Sequence, residues 1–164
     1  MKKYLIQFFI LFHLFNFVQI SFGQDRAAII ASLQSNNNYF TSKMVETDFE
    51  TTIINTKAAL KEQGFGIVSE IDMQDKLLNG TGNEIPKYTI LGACNPSGAY
   101  NALQIEVHIG VMLPCNVIVR ETKNDMIEVA AINPEKSMQS IGNPEIEPLA
   151  KEISEKLKKV LASL

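Results

Sequence analysis

The stretch CNVIVRETKNDMIEVAAI, residues 115–132, predicts a β-hairpin. Two runs rich in β-branched residues flank the polar turn TKND, which is typical of paired antiparallel strands. Because successive side chains of a strand point to opposite faces, Cys115 shares one face with the two valines of its strand. Asn116 and Arg120 share the other face. We therefore expect the Cys115 face to be turned towards the core.

Three further strands are predicted upstream of the hairpin. The runs YFTSKMV (39–45), FGIVSEID (65–72) and KYTILGA (87–93) are short and rich in β-branched and aromatic residues. The stretch NGTGNEIP at 79–86 lies between the last two runs and consists of turn-forming residues. It therefore predicts a loop.

Three helices are predicted between and after these strands. Thr47 and Glu50 match a capping box at the start of the first helix, and Gly64 is a suitable glycine for its C-terminal end. The Asn-Pro pair at 95–96 supplies the cap and the first position of a second helix. Residues 145–164 carry an amphipathic pattern with an apolar stripe, which predicts the third helix.

The resulting order is strand, helix, strand, strand, helix, two strands and helix. Strands that carry helices on one side indicate an α+β two-layer sandwich. We expect a mostly antiparallel sheet of about five strands, with the helices packed on one side.

The N-terminus has the layout of a secretory signal peptide. Lys2 and Lys3 precede an apolar run from Tyr4 to Ile20, and Gly23 marks a cleavage point. Polar residues interrupt the run, which is shorter than the roughly 20 residues that a membrane span needs. We therefore expect export to the periplasm or the medium without a stable membrane anchor. The expected parts are a cleaved signal peptide (1–23), a polar lead-in (24–38) and a single α+β domain (39–164).

The charge of the chain excludes some classes of partner. The full chain has a formal net charge of −3, and loss of the two lysines in the signal peptide makes the mature chain more acidic. An acidic protein without basic clusters is a poor candidate for binding nucleic acid or an anionic membrane. The expected partner is a small ligand or a protein of unknown identity, and a homodimer is an alternative.

The two cysteines, Cys94 and Cys115, have two structural interpretations. Free cysteine behaves as a small hydrophobic residue, so both can be core residues. Alternation puts Cys94 on the side of Tyr88 and Ile90 if the strand stays regular that far. An exported protein can also join the two in a disulfide, provided that their Cα atoms lie within about 7 Å.

Two further interpretations give the thiols a chemical role. Cys94 directly precedes a predicted helix, whose positive N-terminus favours a reactive thiolate. Cys94, His108 and Cys115, with one carboxylate, contain the ligand types of a zinc or copper site, although their spacing matches no compact motif. No motif indicates a bound cofactor, a nucleophile elbow or a phosphate loop.

Four stretches carry a family resemblance: TTIINTKAALKEQGFGIVSEID, YTILGACNPSGAYNAL, IGVMLPCNVIVRE and VAAINP. In this order and spacing they resemble the bacterial and archaeal domain-of-unknown-function family number 302. The resemblance covers nearly the whole mature domain and implies a compact α+β sandwich. It implies no activity and no catalytic residue, because the family has no established biochemical function.

These observations favour an exported, soluble binding or accessory domain without catalysis. The alternative is a protein that handles thiol redox chemistry or a soft metal through its two cysteines. A ligand site is expected where a helix N-terminus, two asparagines and two thiols can converge. Its candidate residues are Cys94, Asn95, Pro96, Pro114, Cys115 and Asn116.

Overall fold

Five antiparallel strands form one sheet, with the predicted hairpin near its middle. The structure is a computed structural model and describes residues 39–164. Within that range the strands are β1 (Phe40–Val45), β2 (Gly66–Asp72), β3 (Tyr88–Cys94), β4 (Cys115–Glu121) and β5 (Ile127–Ile132). Their order is β1-β5-β4-β3-β2, and each neighbouring pair is antiparallel. The predicted α+β fold is confirmed, whereas the signal peptide and the lead-in lie outside the described residues.

Helices pack mainly on one face of this sheet. The α-helices of residues 39–164 are α1 (Phe49–Glu62), α2 (Met73–Thr81), α3 (Pro96–Ile105), α4 (Pro134–Ser137) and α5 (Glu147–Ser163). Short 3₁₀ helices are found at Val107–Met112, Met138–Ile141 and Pro144–Ile146. The long helices α1 and α5 contact each other and the central strands. No helix in this part of the chain is both long and apolar enough to cross a membrane.

The core lies between the sheet and the helices α1 and α5. Cys115 is buried on the same face as the valines of β4, as the alternation predicted. On α5 the predicted apolar stripe supplies Ile153, Leu157 and Val160, which are all buried. Burying a side chain of this size contributes about 1.5–3 kcal/mol. The apolar spacing of α5 therefore serves packing.

The start of α1 differs from the predicted capping box by one residue. Asp48 is the cap, and its Oδ1 accepts a hydrogen bond from the Thr51 amide at 2.9 Å. The Thr47 hydroxyl lies 2.8 Å from that of Thr52, and Glu50 pairs with Lys87 at 3.3 Å. The Thr47–Glu50 box was therefore wrong, because the neighbouring carboxylate is a second suitable cap acceptor.

The loop predicted at 79–86 is partly helical. Asp72 caps α2 by accepting from the Asp75 amide at 3.0 Å, and Gly82 ends it with φ of 73°. The residues Asn79 to Thr81 thus form the last turn of a helix. Helix α2 buries none of its residues and ends in Asn79, Gly80 and Thr81, residue types that also suit a loop.

Candidate functional site

The sheet has an open face, defined here by the strand side chains that point away from α1 and α5. Tyr88 opposes Arg120 in the pairing of β3 with β4, and Arg120 opposes Glu128 in the pairing of β4 with β5. Side chains directly opposite one another in neighbouring strands lie on the same face. The three residues therefore form a row, here called the polar row, across the three central strands near one end of the open face.

An ion pair organises the polar row. Arg120 Nε donates to Glu128 Oε2 at 2.6 Å, and a second guanidinium nitrogen contacts the same oxygen. The Glu128 side chain is only 13% exposed, so this pairing compensates a largely desolvated carboxylate. Burial raises the pKa of Tyr88, with a smaller contribution from Glu128, while Arg120 opposes the shift. Tyr88 is therefore a neutral phenol near pH 7.

An apolar floor lies beside the polar row. Ile118 and Ala130 are register partners and continue the open face towards Ile132. Tyr39 and Phe40 flank this floor, with ring centroids 5.0 Å apart. Together with Asn116 and the polar row, these residues line a concavity of about 500 Å³. Volumes of this order are typical of small-molecule sites.

The six candidate residues from the sequence lie in two adjoining segments. Cys94 ends β3, Asn95 caps α3 and Pro96 is its first residue, while Cys115 begins β4. The register partners Ala93 and Cys115 bring the two segments together.

The six residues nevertheless do not share one space. Cys94, Asn95 and Cys115 line a cavity between the sheet and the helices, whereas Asn116 lies in the open-face concavity. Pro114, which follows a cis peptide bond, packs over Gly92, because a Cβ on that glycine would stand 2.9 Å from Pro114 Cγ.

The cavity lined by Cys94 and Cys115 is small. Its volume is about 30 Å³, which is room for one or two waters. Apolar side chains such as Phe65, Leu113 and Ile153 form much of its wall. The thioether-bearing Met138 lines the same space.

Asn95 has a structural role beside this cavity. Its Oδ1 accepts from the Gly98 amide at 2.9 Å and caps α3. Its Nδ2 donates to the Gly64 carbonyl at 3.0 Å, which ties α3 to the end of α1. Both ends of the side-chain amide are thus engaged by the fold.

The two cysteines are free thiols, so no disulfide joins them in this structure. Cys115 is buried and Cys94 is half-buried. Burial, and secondarily the proximity of Cys94, raise the pKa of Cys115 to about 11. Cys115 is therefore protonated near pH 7 and is a poor nucleophile.

His108 lies apart from a metal-binding arrangement. It belongs to the 3₁₀ helix Val107–Met112, and its side chain is 88% exposed. Its Nδ1 lies 3.5 Å from Glu106 Oε1. Among residues 39–164, no three His, Cys, Asp or Glu side chains are grouped so that they could hold a metal ion. The set Cys94, His108 and Cys115 is therefore not assembled.

Comparison with known families gives this arrangement a context. The family model described as "Domain of unknown function DUF302" matches residues 41–164. The chain belongs to this family. The resemblance seen in the four sequence stretches is confirmed, and the match extends over β1 to α5, which make up the described domain.

One solved DUF302 structure has the same fold. It is the crystal structure of an uncharacterized conserved protein from Bacillus stearothermophilus, with a TM-score of 0.73 and 24% sequence identity. The alignment covers 76% of this chain and 97% of that chain. At this identity the likeness supports the fold alone. Comparison with curated proteins gave no match.

The polar row of this DUF302 domain was missed by sequence reasoning. Alternation within each strand places Tyr88, Arg120 and Glu128 on a common side once the strands are paired. The available signal was a charged pair in the predicted hairpin: Arg120 and Glu128 lie opposite each other because the connection between β4 and β5 has five residues, one more than the predicted TKND turn. Tyr88 could not be added, because the register of β3 against β4 is set by the fold.

Proposed function

We propose that this DUF302 domain is a non-catalytic binding module and that its open sheet face holds a small amphipathic organic ligand. The observation that carries this proposal is the concavity of about 500 Å³, which has an apolar floor between Asn116 and the polar row. A largely apolar pocket with a few polar groups is the usual form of a ligand site.

The lining indicates the chemistry of the ligand. Ile118, Ala130 and Ile132 favour an aliphatic or aromatic body. Asn116 at one end, and the Tyr88 hydroxyl at the other, favour hydroxyl, amide or carbonyl groups. Because Glu128 already neutralises Arg120, the site favours a ligand with little net charge. The same ion pair occupies the carboxylate that a general acid or base would need, which supports binding over catalysis.

Export is a further part of this proposal. The basic start, apolar run and small residues of positions 1–23 support a cleaved signal peptide, and the domain would then act in the periplasm or the medium. Mass spectrometry of the mature protein tests this. An N-terminus at Gln24 is expected, and an intact Met1 would contradict export by cleavage.

A neutral fluorescent amphiphile, N-phenyl-1-naphthylamine, tests the binding site. We expect saturable fluorescence enhancement by the wild-type protein, with one probe per chain. Ile118→Lys puts an ammonium group on the apolar floor, and we expect the affinity to fall at least about tenfold because burying that charge is costly. Ile54→Lys is the matched control, because Ile54 is 66% exposed on α1.

Three outcomes would contradict the proposal. They are no saturable binding by the wild type, an unchanged affinity for Ile118→Lys, and an equal loss for Ile54→Lys. Sedimentation of the same samples adds a fourth. A dimer that Ile118→Lys dissociates would mean that a second copy of the chain, and not a small ligand, covers the open face.

A further inference from the structure

The ion pair of the polar row keeps hydrogen-bonding groups that the rest of residues 39–164 does not use. We propose that Arg120 and Glu128 together bind a ligand group that carries a donor beside an acceptor, as in a carboxamide, a lactam or a urea. This inference rests on the proposed function and deepens it, because it names the class of ligand that the same concavity takes.

The first observation is the geometry of the ion pair. Arg120 Nε donates to Glu128 Oε2 at 2.6 Å, and Arg120 Nη2 contacts the same oxygen. In a two-pronged pairing, by contrast, two parallel N–H groups donate to the two oxygens of the carboxylate. Because both nitrogens share Oε2 here, Glu128 Oε1 accepts no hydrogen bond from residues 39–164. A guanidinium has five N–H donors, so Arg120 also keeps donors beyond the two that Oε2 takes.

The second observation is the place of these groups. Arg120 and Glu128 both line the open-face concavity, and their side chains are 40% and 13% exposed. An oxygen of a largely desolvated carboxylate that lacks a donor costs free energy, and a ligand N–H supplies that donor. The ion pair holds the two side chains against each other. A neighbouring donor and acceptor on one ligand therefore match Glu128 Oε1 and the remaining N–H groups of Arg120.

This pairing discriminates between polar groups of similar size. A ligand carboxylate brings acceptors only, and Glu128 repels its charge. A ketone can accept from Arg120, but it leaves Glu128 Oε1 without a donor. A carboxamide is neutral and satisfies both side chains, so neither member of the ion pair has to give up its partner.

The floor of the concavity sets the body of the ligand. Ile118 lies on β4 between Arg120 and Asn116, two residues from each, so the apolar floor begins directly beside the polar row. Four residues of a strand span about 13 Å, which is room for two fused rings and a polar group. We therefore expect an aromatic or aliphatic carboxamide of that length to fit.

Competition against N-phenyl-1-naphthylamine tests this selectivity. The competitors are 2-naphthamide, 2-acetylnaphthalene and 2-naphthoate, which share one body and differ in the polar group. We expect the wild-type protein to bind 2-naphthamide at least about tenfold more tightly than either of the others, because a hydrogen bond to a charged group contributes about that factor or more.

A double variant, Arg120→Leu with Glu128→Leu, removes the ion pair without leaving one charge unpaired, which the fold tolerates better than a single change. It should still bind N-phenyl-1-naphthylamine, but it should bind 2-naphthamide and 2-acetylnaphthalene with similar affinities. Lys57→Leu with Glu70→Leu is the matched control, because this ion pair of 2.7 Å does not line the concavity. The control should keep the wild-type preference.

Circular dichroism identifies variants that do not fold. If the double variant is one of them, Glu128→Gln provides the test, because it removes the charge of the acceptor and should weaken 2-naphthamide more than 2-acetylnaphthalene. Equal affinities of the wild type for the amide and the ketone overturn the proposal, as does tightest binding of 2-naphthoate.

The variants give two further outcomes that overturn the proposal. One is an amide preference that persists without the Arg120–Glu128 pair, and the other is a preference that the control variant also loses. Failure of the wild type to bind N-phenyl-1-naphthylamine is a different result, since it contradicts the proposed function itself and this inference with it.

Discussion

Gly98 lies directly against Ile153, so α3 and α5 approach each other closely at this point. A Cβ added at Gly98 would stand 2.9 Å from Ile153 Cδ1 and 3.3 Å from Asn95 Oδ1. Ordinary contacts of a Cβ atom are longer than this. Glycine at this position therefore allows α3 to pack closely against α5.

Gly98→Ala is expected to destabilise the protein in spite of the higher helix propensity of alanine. The preference for alanine in a helix amounts to about 1 kcal/mol, whereas overpacking a tight contact costs about 1–3 kcal/mol. We expect the free energy of unfolding to fall by about 1 kcal/mol, because Ile153 can give way only in part. Urea denaturation measures this change.

Gly80→Ala is the matched control, since this glycine lies in α2 and a Cβ there would meet no atom within 4 Å. It should leave stability unchanged or raise it by up to about 1 kcal/mol. Equal stabilities of the two alanine variants would show that the approach of α3 to α5 is not limited by Gly98.

The apolar pattern of the sequence predicts the elements that bury an apolar face. The hairpin of β4 and β5 and the stripe of α5 follow this rule, and both were predicted. Helix α2 has only nine residues and none of them is buried, and its last residues are of types that also suit a loop. At the start of α1, Thr47 and Asp48 are both suitable caps, and the structure uses Asp48, whose side chain accepts from the Thr51 amide.

The candidate site was harder to predict, because register and chain direction are not local properties. Alternation gave the correct face for Cys115. Cys94 is the last residue of β3 and is half-buried, and it borders the same cavity as Cys115. The position of Met138 at that cavity depends on a 3₁₀ segment that no periodicity announces.

Asn95→Ala is expected to cost more stability than the loss of a cap alone. The side chain accepts from the Gly98 amide and donates to the Gly64 carbonyl. An asparagine cap contributes about 1 kcal/mol, and a second hydrogen bond adds a similar amount. We therefore expect a loss of about 2 kcal/mol in the free energy of unfolding, measured by urea denaturation.

Asn143→Ala provides the control with the same side chain. Asn143 accepts one local hydrogen bond, from the Glu145 amide at 3.0 Å, and it begins only a short 3₁₀ helix. Asn143→Ala should lower the free energy of unfolding by clearly less than Asn95→Ala does. If both alanine variants lose the same stability, the bond from Asn95 to Gly64 does not contribute.

Ser154→Ala removes a buried hydroxyl that links α5 to the end of the sheet. Ser154 Oγ donates to Asn133 Oδ1 at 2.8 Å and accepts from the Glu135 amide at 2.9 Å. The residue is 2% exposed, so water cannot replace the hydroxyl. We expect the free energy of unfolding to fall by about 1–3 kcal/mol. Ser163→Ala, which removes a hydroxyl near the end of α5, should change stability little, and a similar loss there would argue against this role of Ser154.

Cys115 is expected to make the folded state sensitive to alkaline pH. Its pKa is raised in the folded protein, chiefly by burial, from 9.0 to about 11. An acid whose pKa is raised on folding stabilises the fold while it is protonated, and this contribution is present below pH 9 and lost as the pH rises towards 11. A difference of this size corresponds to about 3 kcal/mol.

Urea denaturation of the wild type and of Cys115→Ala between pH 8 and about pH 11 measures this effect. Lysine and tyrosine titrations act on both proteins and therefore cancel in the comparison. The free energy of unfolding of the wild type should fall relative to that of Cys115→Ala as the pH rises from 9.0 to about 11. Parallel curves for the two proteins would mean that the Cys115 thiol ionises in the fold as easily as in the unfolded chain.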